Sequence, residues 1–374
     1  MKLIFFIDPM SYGNLAVYDY NLLKYNNSHD VFFFGSAYYD YKKISSPTQF
    51  FPFFTYNKKK NKLSKVLSYI HSILYLSYLS FKHKPNIVHI QWIRLWAIDI
   101  LFLIFLKLLK VKVVYTAHNV LPHESKKRTW IQYKYYYKIL TTIIVHTEES
   151  KSKLVDLFSI DPLKISVIPH GLLDLCKDRG QVELMKKEIN EKLKLDNKIV
   201  FSILGLQSFY KGSDLVCKLW AENEELHDSK YQLLFWGKNN NINTSAIKNI
   251  HNVSIVNRYL SNEEFLAAIQ LTSVLLMPYR VISQSGVLLT AINESIPFLV
   301  SSAGSLKEPL DFANVGWYMG EANYENLQDS VVNIIRNESE IYNFKNNKEG
   351  WMVLQNKFSW DKISNNTFQL YSTI

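Results

Sequence analysis

The sequence predicts an α/β fold of two doubly wound parallel-sheet domains, and three observations predict it. Short β-branched and aromatic runs alternate with helix-length segments along the chain, the pattern of a parallel sheet with crossover helices. The alternation breaks once, at Pro169-His170-Gly171 and the charged stretch 177–194, and then restarts. The chain has 374 residues, more than one hydrophobic core usually serves. The expected division is residues 1–172, residues 173–355 and a closing segment 356–374, with the two main domains facing each other across a cleft.

In order, the apolar run 3–7 reads as a strand that stops at Asp8-Pro9, and Tyr12-Gly13-Asn14 turns the chain into a helix over 16–25. Strands follow at 31–34 and 87–91, with a helix at 66–76 between them and another at 96–110. The apolar part of that last helix, 100–109, is about half the length a membrane span needs, so it is assigned to packing on a sheet. Val-Lys-Val-Val-Tyr leads a strand to Ala117, and strands at 142–145 and 165–168 alternate with helices at 133–140 and 148–158. In the second half the strands are 198–204, 231–236, 253–256, 273–277 and 298–300, with helices at 213–222, 263–269 and 287–293. No short-period repeat appears, which excludes a solenoid.

With 48% hydrophobic and 20% charged residues the chain is globular. Two cysteines, Cys176 and Cys217, supply neither a disulfide framework nor metal-ligand spacing, so a reducing, cytoplasmic setting is expected and no metal or cofactor. The run 3–7 is too short for the apolar core of a secretory signal. Charge is uneven: residues 1–175 carry 23 Lys and Arg against 11 Asp and Glu, and the remainder 20 against 22. The densest patch is Lys58-Lys59-Lys60-Asn61-Lys62 with Lys65, followed by the aromatic, amphipathic segment 66–76. Such a helix suits the inner face of an anionic membrane as a peripheral contact. No nucleic-acid motif accompanies the basic charge, so nucleic acid is not expected as a partner.

The chemistry-bearing residues lie where strands stop. His118 follows the strand ending near Ala117, and in open α/β sheets ligands collect beyond the carboxyl ends of strands. Asn119, His123 and Glu124 crowd the same loop. In the second half, Leu204-Gly205-Leu206-Gln207-Ser208-Phe209-Tyr210-Lys211-Gly212 joins a strand to a helix, and an ammonium beside helix-start amides suits a diphosphate. Pro278-Tyr279-Arg280 and Ser283-Gln284-Ser285-Gly286 precede the helix 287–293, where small residues admit phosphate or sugar oxygens. Gly237 and Arg258 follow neighbouring strands, in positions suited to a nucleobase or ribose.

In this order, Thr116-Ala117-His118-Asn119, Val145-His146-Thr147-Glu148, Ile168-Pro169-His170-Gly171, Tyr210-Lys211-Gly212, Pro278-Tyr279-Arg280, Ser283-Gln284-Ser285-Gly286 and Phe358-Ser359-Trp360 resemble glycosyltransferase family 4, group 1 glycosyltransferases of GT-B fold. The resemblance spans nearly the whole chain. It implies two Rossmann-like domains, an acceptor-binding one first and a nucleotide-sugar-binding one second, and a terminal helix crossing back to the first. It further implies a hexosyltransferase that takes a UDP- or GDP-sugar as substrate, with no metal required, and a saccharide acceptor. The basic first half makes that acceptor lipid-linked, as in surface polysaccharide or glycolipid biosynthesis. By the resemblance His118 lies near the sugar and Gly13 under the diphosphate. Lys211 and Gly212 with Arg280, Ser283, Gln284, Ser285 and Gly286 hold the donor. Glu124 is a further catalytic candidate, and Asn119 and His123 serve the acceptor.

Two departures stand out. Ser208 occupies the place of a common arginine, so one phosphate counter-charge is absent or supplied by Arg280. Ile282 and Thr290 occupy the places of the family's two glutamates, which leaves the choice between a retaining and an inverting outcome open. A nucleotide-sugar epimerase of the same architecture and a catalytically degenerate sugar-nucleotide-binding subunit are the alternatives.

Overall fold

The computed structural model describes residues 1–13, 15–39, 44, 46–58, 61–120, 127–174 and 178–374, with the side chains of Lys58, Lys127 and Arg128 left aside. The chain divides into two compact units, Met1–Gly171 with Phe358–Ile374, and Leu172–Lys357.

The first unit runs β1 (Leu3–Ile7), α1 (Leu15–Lys24), β2 (Asp30–Ser36), β3 (Thr48–Phe54), α2 (Lys62–His83), β4 (Ile87–Ile90), α3 (Trp96–Leu108), β5 (Lys112–Thr116), α4 (Lys127–Ile139), β6 (Thr142–Val145), α5 (Glu148–Phe158) and β7 (Ile165–Val167). Its strands form one parallel sheet in the order β3-β2-β1-β4-β5-β6-β7. Ile87–Ile90 and Thr142–Val145 are buried at every position, as expected of strands covered by helices on both faces.

The sequence reading missed β3, and the reason is local. Pro52 argues against a strand, but β3 is the edge of the sheet, where a missing N–H breaks no ladder. Its phenylalanines extend the aromatic packing of β2, with Phe34 and Phe51 stacked at 5.3 Å and Phe33 and Phe50 tilted at 5.2 Å. Helix α2 is also longer than the expected 66–76: Asn61 caps it by accepting from Ser64 N, and Lys84 ends it in the left-handed region.

The second unit runs α6 (Arg179–Leu193), β8 (Ile199–Leu204), α7 (Ser213–Glu222), β9 (Tyr231–Trp236), β10 (Val253–Val256), α8 (Asn262–Leu271), β11 (Val274–Met277), α9 (Gly286–Asn293), β12 (Phe298–Val300), β13 (Gly316–Tyr318), α10 (Tyr324–Arg336), α11 (Ser339–Asn346) and α12 (Lys348–Lys357). Its parallel sheet has the order β10-β9-β8-β11-β12-β13. Two parallel sheets with interleaved helices are thus the α/β fold read from the sequence.

The last helix, α13 (Trp360–Thr373), packs in the first unit. Its Trp360, Ile363, Phe368 and Tyr371 join Ile4, Phe6 and Leu22 in one buried cluster. Ser364 Oγ donates to Leu22 O at 2.8 Å, and Lys2 Nζ donates to the Tyr371 carbonyl at 2.7 Å. Gly171 makes this docking possible, because a Cβ there would overlap the Trp360 indole.

Each sheet has one point where strand order reverses, β1/β4 in the first unit and β8/β11 in the second. Loops leaving the carboxyl ends of strands diverge at such a point and open a crevice.

Candidate active site

In the first unit, chemistry-bearing side chains follow the ends of five adjacent strands. Asp8 follows β1, Gln91 follows β4, His118 follows β5, His146 follows β6 and His170 follows β7. His118 and His170 are half-buried, and Asp8, Gln91 and His146 are buried. Its ring stacks on Trp92 at 4.9 Å with planes 13° apart, and Tyr18 of α1 meets it edge-on at 4.8 Å. Tyr18 also touches the rings of His146, His170 and Trp360.

A hydrogen-bonded chain fixes His118. Its Nε2 donates to Gln91 Oε1 at 2.9 Å, and Gln91 Nε2 donates to His89 Nε2 at 3.2 Å. His89 in turn bonds Thr116 Oγ1 at 2.7 Å and the Tyr371 hydroxyl of α13. On the other side His118 Nδ1 is 3.2 Å from His146 Nε2, and His146 Nδ1 donates to Ile168 O at 2.9 Å. Burial, reinforced by the neighbouring rings, holds His118 well below the usual histidine range. Burial also pushes His146 down to about 3, His170 to about 4 and His89 to about 3.

Asp8 and Asp19 form a second buried feature. Desolvation raises Asp8 to about 6 and, with the neighbouring Asp8, raises Asp19 well above the carboxylate range. Met10 N donates to Asp8 Oδ1 at 2.6 Å. Gly13 lies just beyond, exposed and at φ +57°, a left-handed turn that glycine adopts without strain.

In the second unit the loops after β8 and β11 flank the reversal point. Phe209–Lys211 is a single 3₁₀ turn, closed by Gly212 at φ +68°. Gly212 packs against the Pro278 carbonyl, leaving no room for a Cβ. Lys211 is 7% exposed, its ammonium 5.4 Å from the centre of the Tyr279 ring. Burial lowers its pKa, and among the described residues no carboxylate lies within ion-pair distance of it. Ser208 Oγ, close in sequence, is buried without a hydrogen-bond partner among the described residues. On the facing loop Ser285 caps α9 by accepting from Leu288 N at 3.3 Å, and Gly286 is the first helical residue. Ser283 and Gln284 are half-buried in that loop.

Three expected donor residues are otherwise engaged. Arg280 makes two 2.7 Å bonds to Asp214 and stacks over the Phe209 ring at 3.9 Å. Its charge is already compensated, so it is not the free counter-charge the sequence suggested in place of the arginine missing at Ser208. Arg258 is likewise held by two 2.6 Å bonds to Glu264. Gly237, at φ +139°, lets its backbone pass against the Gly205 carbonyl, so the packing of the two strand ends accounts for it. Asn119 is half-buried beside His118. His123 and Glu124 lie outside the described residues, as do Lys59 and Lys60 of the basic patch.

The sequence reading singled out neither Gln91 nor the Asp8–Asp19 pair, and it did not assign His146 or His170 to the site. A signal for four of them was present: Asp8, Gln91, His146 and His170 each stand within three residues of a strand's carboxyl end, the same signal that found His118.

Residues 27–172 match the family model described as Glycosyltransferase Family 4. Solved structures of the same fold include a sucrose-phosphate synthase from Thermosynechococcus elongatus, with TM-score 0.71, 15% identity, and coverage of 100% of this chain and 99% of that one. Anabaena HepE in complex with UDP gives TM-score 0.71 at 12% identity over 100% of both chains. The E. coli trehalose-6-phosphate structure bound with UDP-2-fluoro glucose gives 0.67 at 11% identity, covering 100% and 99%. No curated protein sequence matches the chain.

Proposed function

We propose that this glycosyltransferase of GT-B fold moves a hexosyl group from a UDP- or GDP-sugar to a saccharide acceptor. The observation that carries the donor half is Lys211. A buried ammonium without a carboxylate partner among the described residues is costly on its own, and an anion offsets that cost. Ser208 Oγ and the amides at the start of α9 add donors suited to a diphosphate. As the bond from the sugar carbon to the diphosphate breaks, charge gathers on phosphate oxygens. Lys211 is placed to stabilise it where a metal ion would otherwise serve. The new bond forms to an acceptor oxygen, whose proton leaves to a neighbouring base or phosphate oxygen. Bound UDP in HepE and UDP-2-fluoro glucose in the E. coli structure support a nucleotide-sugar donor.

His118 acts at the sugar in this reading, held by Gln91, His146, Trp92 and Tyr18. Asn119 belongs to the acceptor side.

The acceptor is lipid-linked in this proposal, as in surface polysaccharide or glycolipid assembly at the cytoplasmic face of a membrane. Helix α2 supports it: Leu63, Leu67, Leu74, Tyr78 and Phe81 form an exposed apolar stripe along its outer face. Leu101, Ile104 and Leu108 do the same on α3, which packs beside it. Lys62, Lys65, Lys82, Lys107 and Lys110 lie on the same two helices or at their ends, and each cation contributes about 1 kcal/mol near an anionic surface. Among the described residues no helix is long and apolar enough to cross a membrane.

Thermal-shift measurement with UDP, GDP and their sugar conjugates tests the donor. A cognate nucleotide at about a hundred times its dissociation constant stabilises by about 2.7 kcal/mol, and a flat response to all of them refutes the proposal. Sedimentation with phosphatidylglycerol vesicles tests the membrane clause, which fails if replacing Leu67, Leu74 and Phe81 by serine leaves binding unchanged.

A further inference from the structure

The hydrogen bonds around His118 impose a proton count. His146 Nδ1 faces the Ile168 carbonyl at 2.9 Å, and a carbonyl only accepts, so Nδ1 carries a proton. His118 Nε2 faces Gln91 Oε1 at 2.9 Å, and that oxygen also only accepts. Between the rings, His118 Nδ1 and His146 Nε2 are 3.2 Å apart, and one of them donates. Three N–H protons are therefore needed where two neutral imidazoles carry two. In this arrangement the pair holds one extra proton.

Turning the Gln91 carboxamide end for end removes the need. Its nitrogen then donates to His118 Nε2, His118 Nδ1 donates to His146 Nε2, and two neutral rings satisfy every bond. The turn reaches His89 as well. As observed, Gln91 Nε2 donates to His89 Nε2, so His89 carries its proton at Nδ1, against the Tyr371 hydroxyl. After the turn His89 donates from Nε2 to the Gln91 oxygen, and its Nδ1 accepts from Tyr371. The Thr116 hydroxyl, 2.7 Å from His89 Nε2, follows by rotation.

We propose that the Gln91 carboxamide follows the proton count of the His118–His146 pair, accepting from His118 Nε2 when the pair holds the extra proton and turning to donate to it when both rings are neutral. The inference rests on the reading in which His118 acts at the sugar. In the neutral arrangement His118 accepts from a sugar hydroxyl that displaces the amide, and in the loaded arrangement it donates.

The surroundings select between the two. Tyr18 of α1, His89 of β4, Trp92 after β4 and His170 after β7 face the pair, and none supplies a negative charge. Burial keeps Tyr18 protonated and lowers all of the histidines. Burial and the neighbouring Asp8 push the Asp19 carboxyl, next to Tyr18 in sequence, well above the usual carboxylate range. The neutral arrangement therefore prevails near neutral pH.

Long-range ¹H–¹⁵N spectra of the full chain, deuterated and labelled with ¹⁵N-histidine, read each ring's protonated nitrogen directly. At pH 7.5 the expected pattern is Nδ1–H on His118 and His146 and Nε2–H on His89. A proton at Nε2 of neutral His118, or at Nδ1 of His89, overturns the proposal, and this arm needs no substitution in the network. In Gln91→Glu a carboxylate replaces the amide and accepts only, so the His118–His146 pair is expected to take up the extra proton at pH 7.5. Two neutral rings beside an ionised carboxylate in that variant, its charge read from the side-chain ¹³C shift, likewise overturn it. Gln91→Met is expected to leave His118 at Nδ1–H while His89 loses its preference for Nε2–H. No nucleotide sugar is present in these spectra, so their failure is separable from failure of the glycosyl-transfer reading, which the nucleotide thermal shifts decide.

Discussion

Replacing Lys211 by methionine separates binding from stability, because the two effects have opposite signs. The ammonium is 7% exposed and has no carboxylate within ion-pair distance among the described residues. Folding therefore bears most of its desolvation, with only the Tyr279 ring face to offset it, until an anion arrives. Methionine fills a similar volume without charge, so the free protein keeps or gains stability. Nucleotide binding loses one charge-assisted hydrogen bond, worth about 1.5 to 3 kcal/mol, or roughly a tenfold to a hundredfold rise in Kd for UDP or GDP. The pH dependence has a definite sign. Burial lowers the folded pKa of Lys211 below its unfolded value, so between the two the unfolded chain binds more protons and stability rises with pH. Nucleotide affinity falls over the same window as the ammonium is lost. Isothermal titration at several pH values and denaturant unfolding of the free protein measure both. Unchanged nucleotide affinity in Lys211→Met, or a free protein destabilised by several kcal/mol, refutes the reasoning.

Three further outcomes are expected. Gly171→Ala forces a methyl group against the Trp360 indole; an overpacking cost of about 1 to 3 kcal/mol should appear as a lower denaturation midpoint and faster proteolysis of α13. Asp19→Asn removes one of two buried carboxyls whose pKa values are raised. The stability the protonated pair contributes is complete below the ordinary carboxylate range and is lost as pH rises through about 6, so the variant should unfold at higher denaturant than the parent at pH 8 and lose that advantage at pH 4. Asp214→Asn leaves Arg280 without its partner; the pair is half-exposed, so the stability loss should be about 1 kcal/mol. The loosened Phe209–Lys211 turn should weaken UDP binding several-fold, with Arg280→Met in the same chain restoring part of the stability.

What local sequence determines here is the succession of elements and the places where they stop. Runs such as Ile143-Ile144-Val145 are apolar without alternation because helices cover both faces of a parallel strand. Glu148–Phe158 is legible because Thr147 caps it and two glutamates follow, all within one turn. His118 and Lys211 stood out for the same reason, each placed in the loop that leaves the carboxyl end of a strand. The edge strand β3 escaped because Pro52 is a local argument against a strand, whereas position at the sheet edge is a global fact.

Pairings between distant residues were decided by tertiary structure alone. Arg280 reads as a free cation until folding brings Asp214 within 2.7 Å. Gln91 reads as the last residue of a strand until β4, β5 and β6 set it, His118 and His146 side by side. His89 and Tyr371 are 282 residues apart in sequence yet share a hydrogen bond. Backbone preference acts over a few residues and can be read along the chain, but the charge and proton state of a buried side chain depends on neighbours that only the packed fold supplies.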